Sequence, residues 1–196
     1  MRAFLLLLLS FNTALLYTQD ARIEEVGKSP VEVKFAPGGR VRMELCSSGI
    51  EVVGKDEGIL RVSYGSRHRN DDDVRVRIRV SGNQADLRVS RCPHNNFQMT
   101  IEVPKSSSLY VRMFAGDLNV RGVTGDKDVE LHFGQLTMEI GEPSEYARVE
   151  ASVNSGDLEA PSFDVSKGGL FRSFERSGPG KYRVYAHVGA GELDLR

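Results

Sequence analysis

A short step, glycine followed by a polar or acidic residue and then leucine, recurs along this chain and constrains its fold more than any other feature. The clear copies are Gly116-Asp117-Leu118-Asn119-Val120, Gly134-Gln135-Leu136-Thr137-Met138, Gly156-Asp157-Leu158-Glu159-Ala160 and Gly191-Glu192-Leu193-Asp194-Leu195. A shifted copy, Ser48-Gly49-Ile50-Glu51-Val52, and a degenerate one, Ala85-Asp86-Leu87-Arg88-Val89, carry the pattern towards the N-terminus. Successive glycines from Gly116 are spaced 18, 22 and 35 residues apart, so a unit is about 20 residues long, with an insertion around Gly168-Gly169 and Ser177-Gly178-Pro179-Gly180 before the last copy.

Between the steps the sequence alternates apolar and polar residues, the period of a strand with one face buried. Val74-Arg75-Val76-Arg77-Ile78-Arg79-Val80 is the cleanest run, with Met99-Thr100-Ile101-Glu102-Val103 and Val129-Glu130-Leu131-His132-Phe133 further on. Beyond the N-terminal segment no stretch holds a helical period, so the expected fold is all-β. Within a unit, Leu109, Val111 and Met113 would point inward, a glycine would relieve the corner, and Leu118 and Val120 would return inward. One unit hides too few side chains to offset the entropy of ordering its backbone. Stacked units share hydrogen bonds and a continuous apolar column, which predicts a β-solenoid lined by Leu118, Leu136, Leu158 and Leu193.

The residues Phe97-Gln98-Met99-Thr100-Ile101-Glu102-Val103-Pro104-Lys105, Ser108-Leu109-Tyr110-Val111 and Gly116 to Asp126 resemble the bacterial adhesin-like family of β-strand repeats. That family has a strand ending in Val-Pro, a second strand, and repeated Ser/Gly-Asp-Leu/Ile-x-Val steps. The resemblance runs from Val31 to Arg196 and is strongest over residues 97–160. It implies an elongated β-solenoid in the bacterial envelope or outside the cell, with no shared catalytic residues. The chain departs from the pattern in the Gly168 to Lys181 insertion and in its arginine-rich strand.

The N-terminus carries Arg2 and then a leucine-rich run from Ala3 to Tyr17, about 15 residues, the length of a secretory signal. Residues 1–21 are therefore expected to be a signal peptide cut near Gln19 or Ala21, or an anchor if uncleaved, and residues 22–196 the exported domain. No cysteine lies near the end of the apolar run, which excludes a lipobox, and no later apolar stretch approaches 18 residues. Cys46 and Cys92 suit an oxidising compartment, either as one disulfide or as two buried thiols. A bridge would close a loop worth roughly 4 kcal/mol by chain entropy.

Twenty-six basic and 27 acidic residues leave a net charge of -1, so no overall field draws the chain to nucleic acid. Gly49 to Lys55 mimics the glycine and lysine spacing of a phosphate loop, but Asp56 stands where a hydroxyl is needed and no helix follows. His68, His94, His132 and His187 are scattered. Cys92-Pro93-His94 brings two ligand types together, short of a zinc set, and no cofactor is expected. Asp71-Asp72-Asp73 lacks the alternate spacing of a calcium loop and reads as a solvated turn.

Arg75, Arg77 and Arg79, with Arg88 and Arg91 nearby, form an outward basic row. It is either ordinary outer charge paired with Glu and Asp of neighbouring strands, or a face for an anionic envelope glycan or another envelope protein. The sequence thus points to a non-catalytic, adhesion-like interaction module of the periplasm or cell exterior. Alternatives are a carbohydrate-active enzyme drawing on Asp117, Asp157 and Arg112, or a periplasmic sensor or assembly partner. Membrane contact would come only through an uncleaved N-terminal segment, and free edge strands offer a route to self-association.

Overall fold

The computed structural model describes residues 20–66, 72–93 and 96–196. The expected signal peptide falls almost entirely outside these residues, as do His68, Asp71 and His94. Among the described residues no helix is long and apolar enough to cross a membrane.

The chain is all-β. Strands run as β1 (Ala21–Val26), β2 (Val31–Lys34), β3 (Arg40–Leu45), β4 (Ser48–Lys55), β5 (Ile59–Ser66), β6 (Arg75–Ser81), β7 (Gln84–Ser90), β8 (Phe97–Pro104), β9 (Ser108–Arg121), β10 (Lys127–Met138), β11 (Tyr146–Ala160), β12 (Val165–Ser177) and β13 (Tyr182–Leu195). Short 3-10 turns at Pro143–Glu145 and Pro161–Phe163 flank β11.

Strands β9, β10, β13 and β11 are long, and each bends at its repeat glycine. They pair in parallel and in register, so that Gly116, Gly134, Gly191 and Gly156 stand side by side. All four have positive φ, between 123° and 141°. A β-carbon built on Gly134 would overlap the carbonyl oxygen of Gly116, one on Gly191 that of Gly134, and one on Gly156 that of Gly191. Glycine is needed twice over at this column, for the backbone angle and for the close approach of the next strand.

The bend divides the sheet into two legs that enclose one core. Leg one contributes Leu109, Val111, Met113, Val129, Leu131, Val149 and Val184. Leg two contributes Leu118, Leu136, Leu158 and Leu193, each no more than 1% exposed, and all belong to a single apolar cluster. Towards the N-terminal end the legs are built from separate strands. β9 pairs with β3 through its first half and with β4 through its second, and β7 and β8 lie beyond these on the two legs. Antiparallel β6 and β1 continue leg one, and β5 and β2 continue leg two.

Three details differ from the sequence reading. First, the stack does not follow chain order: the path runs β1-β6-β7-β3-β9-β10-β13-β11-β12, with β13 between β10 and β11; β1 and β12 end that path and β2 ends leg two. The last strand returns to a gap left between two earlier ones. Second, the shifted copy puts Ser48 opposite Gly116 and Ile50 opposite Leu118, whereas Leu87 of the degenerate copy faces Met43 on leg one and marks no bend. Third, the insertion forms β12, antiparallel to β11. It carries Lys167, Arg172 and Arg176 opposite the inward Leu158, Val153 and Val149. Lys167 Nζ donates to the Ser173 carbonyl at 2.7 Å and Arg172 Nε to that of Gly168 at 2.7 Å, so both exposed chains fold back across the bend of β12.

Among the described residues one charged side chain is buried. Lys127 of β10 stands in register with Leu109 and Val184 and is 1% exposed. Its amine donates to Tyr146 Oη at 2.7 Å, and that hydroxyl donates to the Ile140 carbonyl at 2.6 Å. Burial pushes the Lys127 amine down to about 8, opposed by the charges of Glu145, Asp126 and Glu139, and pushes the Tyr146 phenol up.

Two outcomes are expected. Gly134→Ala lowers stability by about 2 kcal/mol or more in urea unfolding, whereas Gly65→Ala, where a β-carbon meets nothing within 4 Å, changes it by less than ~0.5 kcal/mol. The depressed Lys127 pKa means that the unfolded chain binds a proton the folded chain has lost between pH ~8 and ~10.5. Stability therefore rises with pH from about 8, until loss of the Tyr146 proton from the unfolded chain opposes the gain above pH ~10. Lys127→Met should be more stable than wild type at pH 7 by about 1–3 kcal/mol and flat from pH ~7.5 to ~9.5. Urea midpoints across that range check both.

Candidate functional site

Alternation along β6 sends Arg75, Arg77 and Arg79 outward while Val76, Ile78 and Val80 are buried. Pairing places this row beside others. Arg79 faces Arg22 of β1 on one side and Asp86 of β7 on the other; Asp86 faces Arg42 of β3, and Arg42 faces Tyr110 of β9. One register step along, Arg77 faces Glu24 and Arg88, Arg88 faces Glu44, and Glu44 faces Arg112.

The two rows differ in their electrostatics. In the second, Glu24 binds Arg77 at 3.1 Å and Arg75 at 3.5 Å, Glu44 pairs with Arg88, and Arg112 binds Asp128 and Glu130, each at 2.8 Å. In the first, Arg22, Arg42 and Arg79 have no carboxylate within ion-pair distance among the described residues. The Tyr110 ring carries two guanidiniums, that of Arg42 at 5.0 Å and that of Arg112 at 3.7 Å from its centre. Asp86 accepts a hydrogen bond from Gln84 at 3.3 Å.

Arg22, Arg42, Arg77, Arg79 and Arg88, with Glu24, Glu44 and Asp86, line a groove of about 450 Å³ on the outer face of leg one. Of the row named from sequence, Arg77 and Arg79 enter this groove and Arg75 does not. Arg22 and Arg42 stand alone in the sequence, and only the strand order brings them to β6. The groove continues across the strands. A second hollow of about 500 Å³ shares Arg42 and adds Tyr110, Asp126 and Asp128, and a third of about 550 Å³ shares those two aspartates and adds Arg148, Glu150 and Tyr185.

The other candidates are placed as follows. Cys46 and Cys92 form a disulfide with Cα atoms 6.0 Å apart, tying the corner between β3 and β4 to the link between β7 and β8. Gly49 to Lys55 is strand β4. His132 lies 5.8 Å from the exposed ring of Phe114, and His187 Nδ1 meets Ser152 Oγ at 2.8 Å, a pair that sequence spacing did not reveal. Glu130 faces His187 from the next strand but is held by Arg112. Asp117 and Asp157 project outward from strands three steps apart, roughly 14 Å. That exceeds the spacing of a glycosidase pair, ~5–10 Å, and Arg112 lies on the opposite leg. Among the described residues no group of three or more His, Cys, Asp or Glu is arranged to hold a metal.

Neither protein-family models nor curated proteins give a match to this sequence. Solved structures do. The chain is similar to a "putative cell adhesion protein" from Clostridium sporogenes, with a TM-score of 0.52 and 11% identity over 90% of this chain and 99% of that one. A "putative adhesin" from Bacteroides fragilis aligns with a TM-score of 0.33 and 11% identity, over 90% of this chain and 97% of its own. The first likeness is one of fold.

Proposed function

We propose that the chain is an exported, non-catalytic interaction module of the bacterial envelope, β-solenoid-like in its stack of bent strands, that binds an anionic envelope glycan in an adhesion-like role. The observation that carries this reading is the convergence of Arg22, Arg42 and Arg79 on one groove with no carboxylate within ion-pair distance among the described residues. A guanidinium suits a sugar carboxylate or sulfate because its planar donors match the anion in pairs. The sheet fixes the spacing of the three groups, so binding orders their side chains but not the backbone that carries them.

The disulfide fits export to an oxidising compartment, and the fold likeness to a cell adhesion protein agrees with a surface role. Edge pairing is the less favoured mode of association. Continuing the sheet past β12 would bring a second strand against Lys167, Arg172 and Arg176, inward charges of the kind that block strand addition.

The test is titration of galacturonic acid, followed through the side-chain Nε–H resonances of arginine. Shifts are expected at Arg22, Arg42 and Arg79, with none on addition of galactose. Arg79→Gln should weaken binding about fivefold, the ~1 kcal/mol of one exposed charge-assisted contact. Arg121→Gln removes an equal charge on leg two, where Arg121 pairs with Glu51, and should leave affinity unchanged. Equal effects of the two variants, or no response to galacturonate, would refute the reading.

A further inference from the structure

The three hollows on the outer face of leg one are joined by shared walls, Arg42 between the first and second and Asp126 and Asp128 between the second and third. They form one trough across the strands, and its free cations are not confined to the first hollow. Arg40 lines the second and Arg183 the third, and neither has a carboxylate within ion-pair distance among the described residues.

Together with Arg22, Arg42 and Arg79 these arginines fall into three stations along the strand order. Arg22 and Arg79 stand on β1 and β6, Arg40 and Arg42 on β3, and Arg183 on β13. From β1 to β3 is three strand steps, and from β3 to β13 three more. Successive stations are thus roughly 14 Å apart, and the outermost two roughly 29 Å.

Most carboxylates between the stations are already neutralised. Glu24, Glu44, Asp128 and Glu150 are held by Arg77, Arg88, Arg112 and Arg148 in turn. Asp86 and Asp126 are not ion-paired. They accept hydrogen bonds from the Gln84 amide at 3.3 Å and from the backbone N–H of Arg183 at 2.8 Å. Five free guanidiniums against two free carboxylates leave the trough positive overall.

A single carboxylate can occupy one station only, because about 14 Å exceeds both contact distance and the screening length of physiological salt. A chain whose acid recurs offers an anion to every station, and once one is bound the others meet their arginines at high local concentration. Resting on the function proposed above, we infer that the ligand is a linear acidic polysaccharide, its carboxylate recurring along the chain, laid across the strands from β1 to β13. Arg22, Arg42 and Arg79 hold one end, and Arg183 is the far contact that sets how long a chain the trough takes.

Calorimetric titration of the full-length protein with digalacturonate, octagalacturonate and neutral malto-octaose tests this. Octagalacturonate should bind about thirtyfold tighter than digalacturonate, beyond the roughly sevenfold gained because a disaccharide-sized site can take the longer chain in several positions. Malto-octaose should not bind. Arg183→Gln should weaken octagalacturonate about fivefold and leave digalacturonate unchanged, which also shows that the variant is folded. Arg121→Gln should alter neither. Octagalacturonate no more than sevenfold tighter than digalacturonate, malto-octaose as tight as octagalacturonate, or an Arg183→Gln variant that keeps full affinity for octagalacturonate or loses both ligands equally would overturn the inference and leave the arginine groove standing. Failure of every galacturonate probe, the monosaccharide included, would overturn both.

Discussion

At each bend a carbonyl oxygen of one strand fills the space that a side chain on its neighbour would need, so the strands can lie in register only because glycine recurs there. Everything else in the stack follows from this contact. Register fixed at the bend is register fixed along both legs, because side chains alternate strictly from there outward. Leu118, Leu136, Leu193 and Leu158 consequently meet in one column on leg two, and the valines of β9, β10, β13 and β11 meet on leg one. A backbone slip of one residue would turn both columns to solvent at once.

The same constraint arranges the outer face. A strand register that aligns apolar residues inside also aligns whatever lies between them outside, and on leg one those residues are arginines, acids and tyrosines. The groove is thus a by-product of core pairing in its geometry, though not in its chemistry. Core packing does not require Arg22, Arg42 and Arg79 to go unpaired while the adjacent row of Glu24, Glu44 and Arg112 is neutralised. Lys127 is the converse case, a cation drawn inside by register and stabilised there by the hydroxyl of Tyr146.

Much of this was legible in the sequence, and what was hidden had a physical reason. The glycine step, the inward leucines and the alternation are local, and local spacing reveals them. Strand order is different: the steps at Gly134, Gly156 and Gly191 are chemically alike, so any could stack on any other, and spacing cannot show that β13 enters between β10 and β11. Lys127 occupies an apolar position with a charged side chain, which alternation reads as exposed. β12 was visible only as an interruption, because an end strand carries charge where its neighbours carry valine. The arginines of β6 stood out by their density, whereas Arg22 and Arg42 are isolated in sequence and join them only through pairing with β1 and, by way of β7, β3.

The account stands on a column of bend glycines in the order Gly134, Gly191, Gly156. Nuclear Overhauser contacts among their α-protons, in selectively labelled protein, measure that order directly. Cross-peaks from Gly191 to both Gly134 and Gly156, with none between Gly134 and Gly156, are the predicted result. A direct Gly134 to Gly156 contact would mean that the strands stack in chain order, and would contradict the register on which the core and the groove both depend.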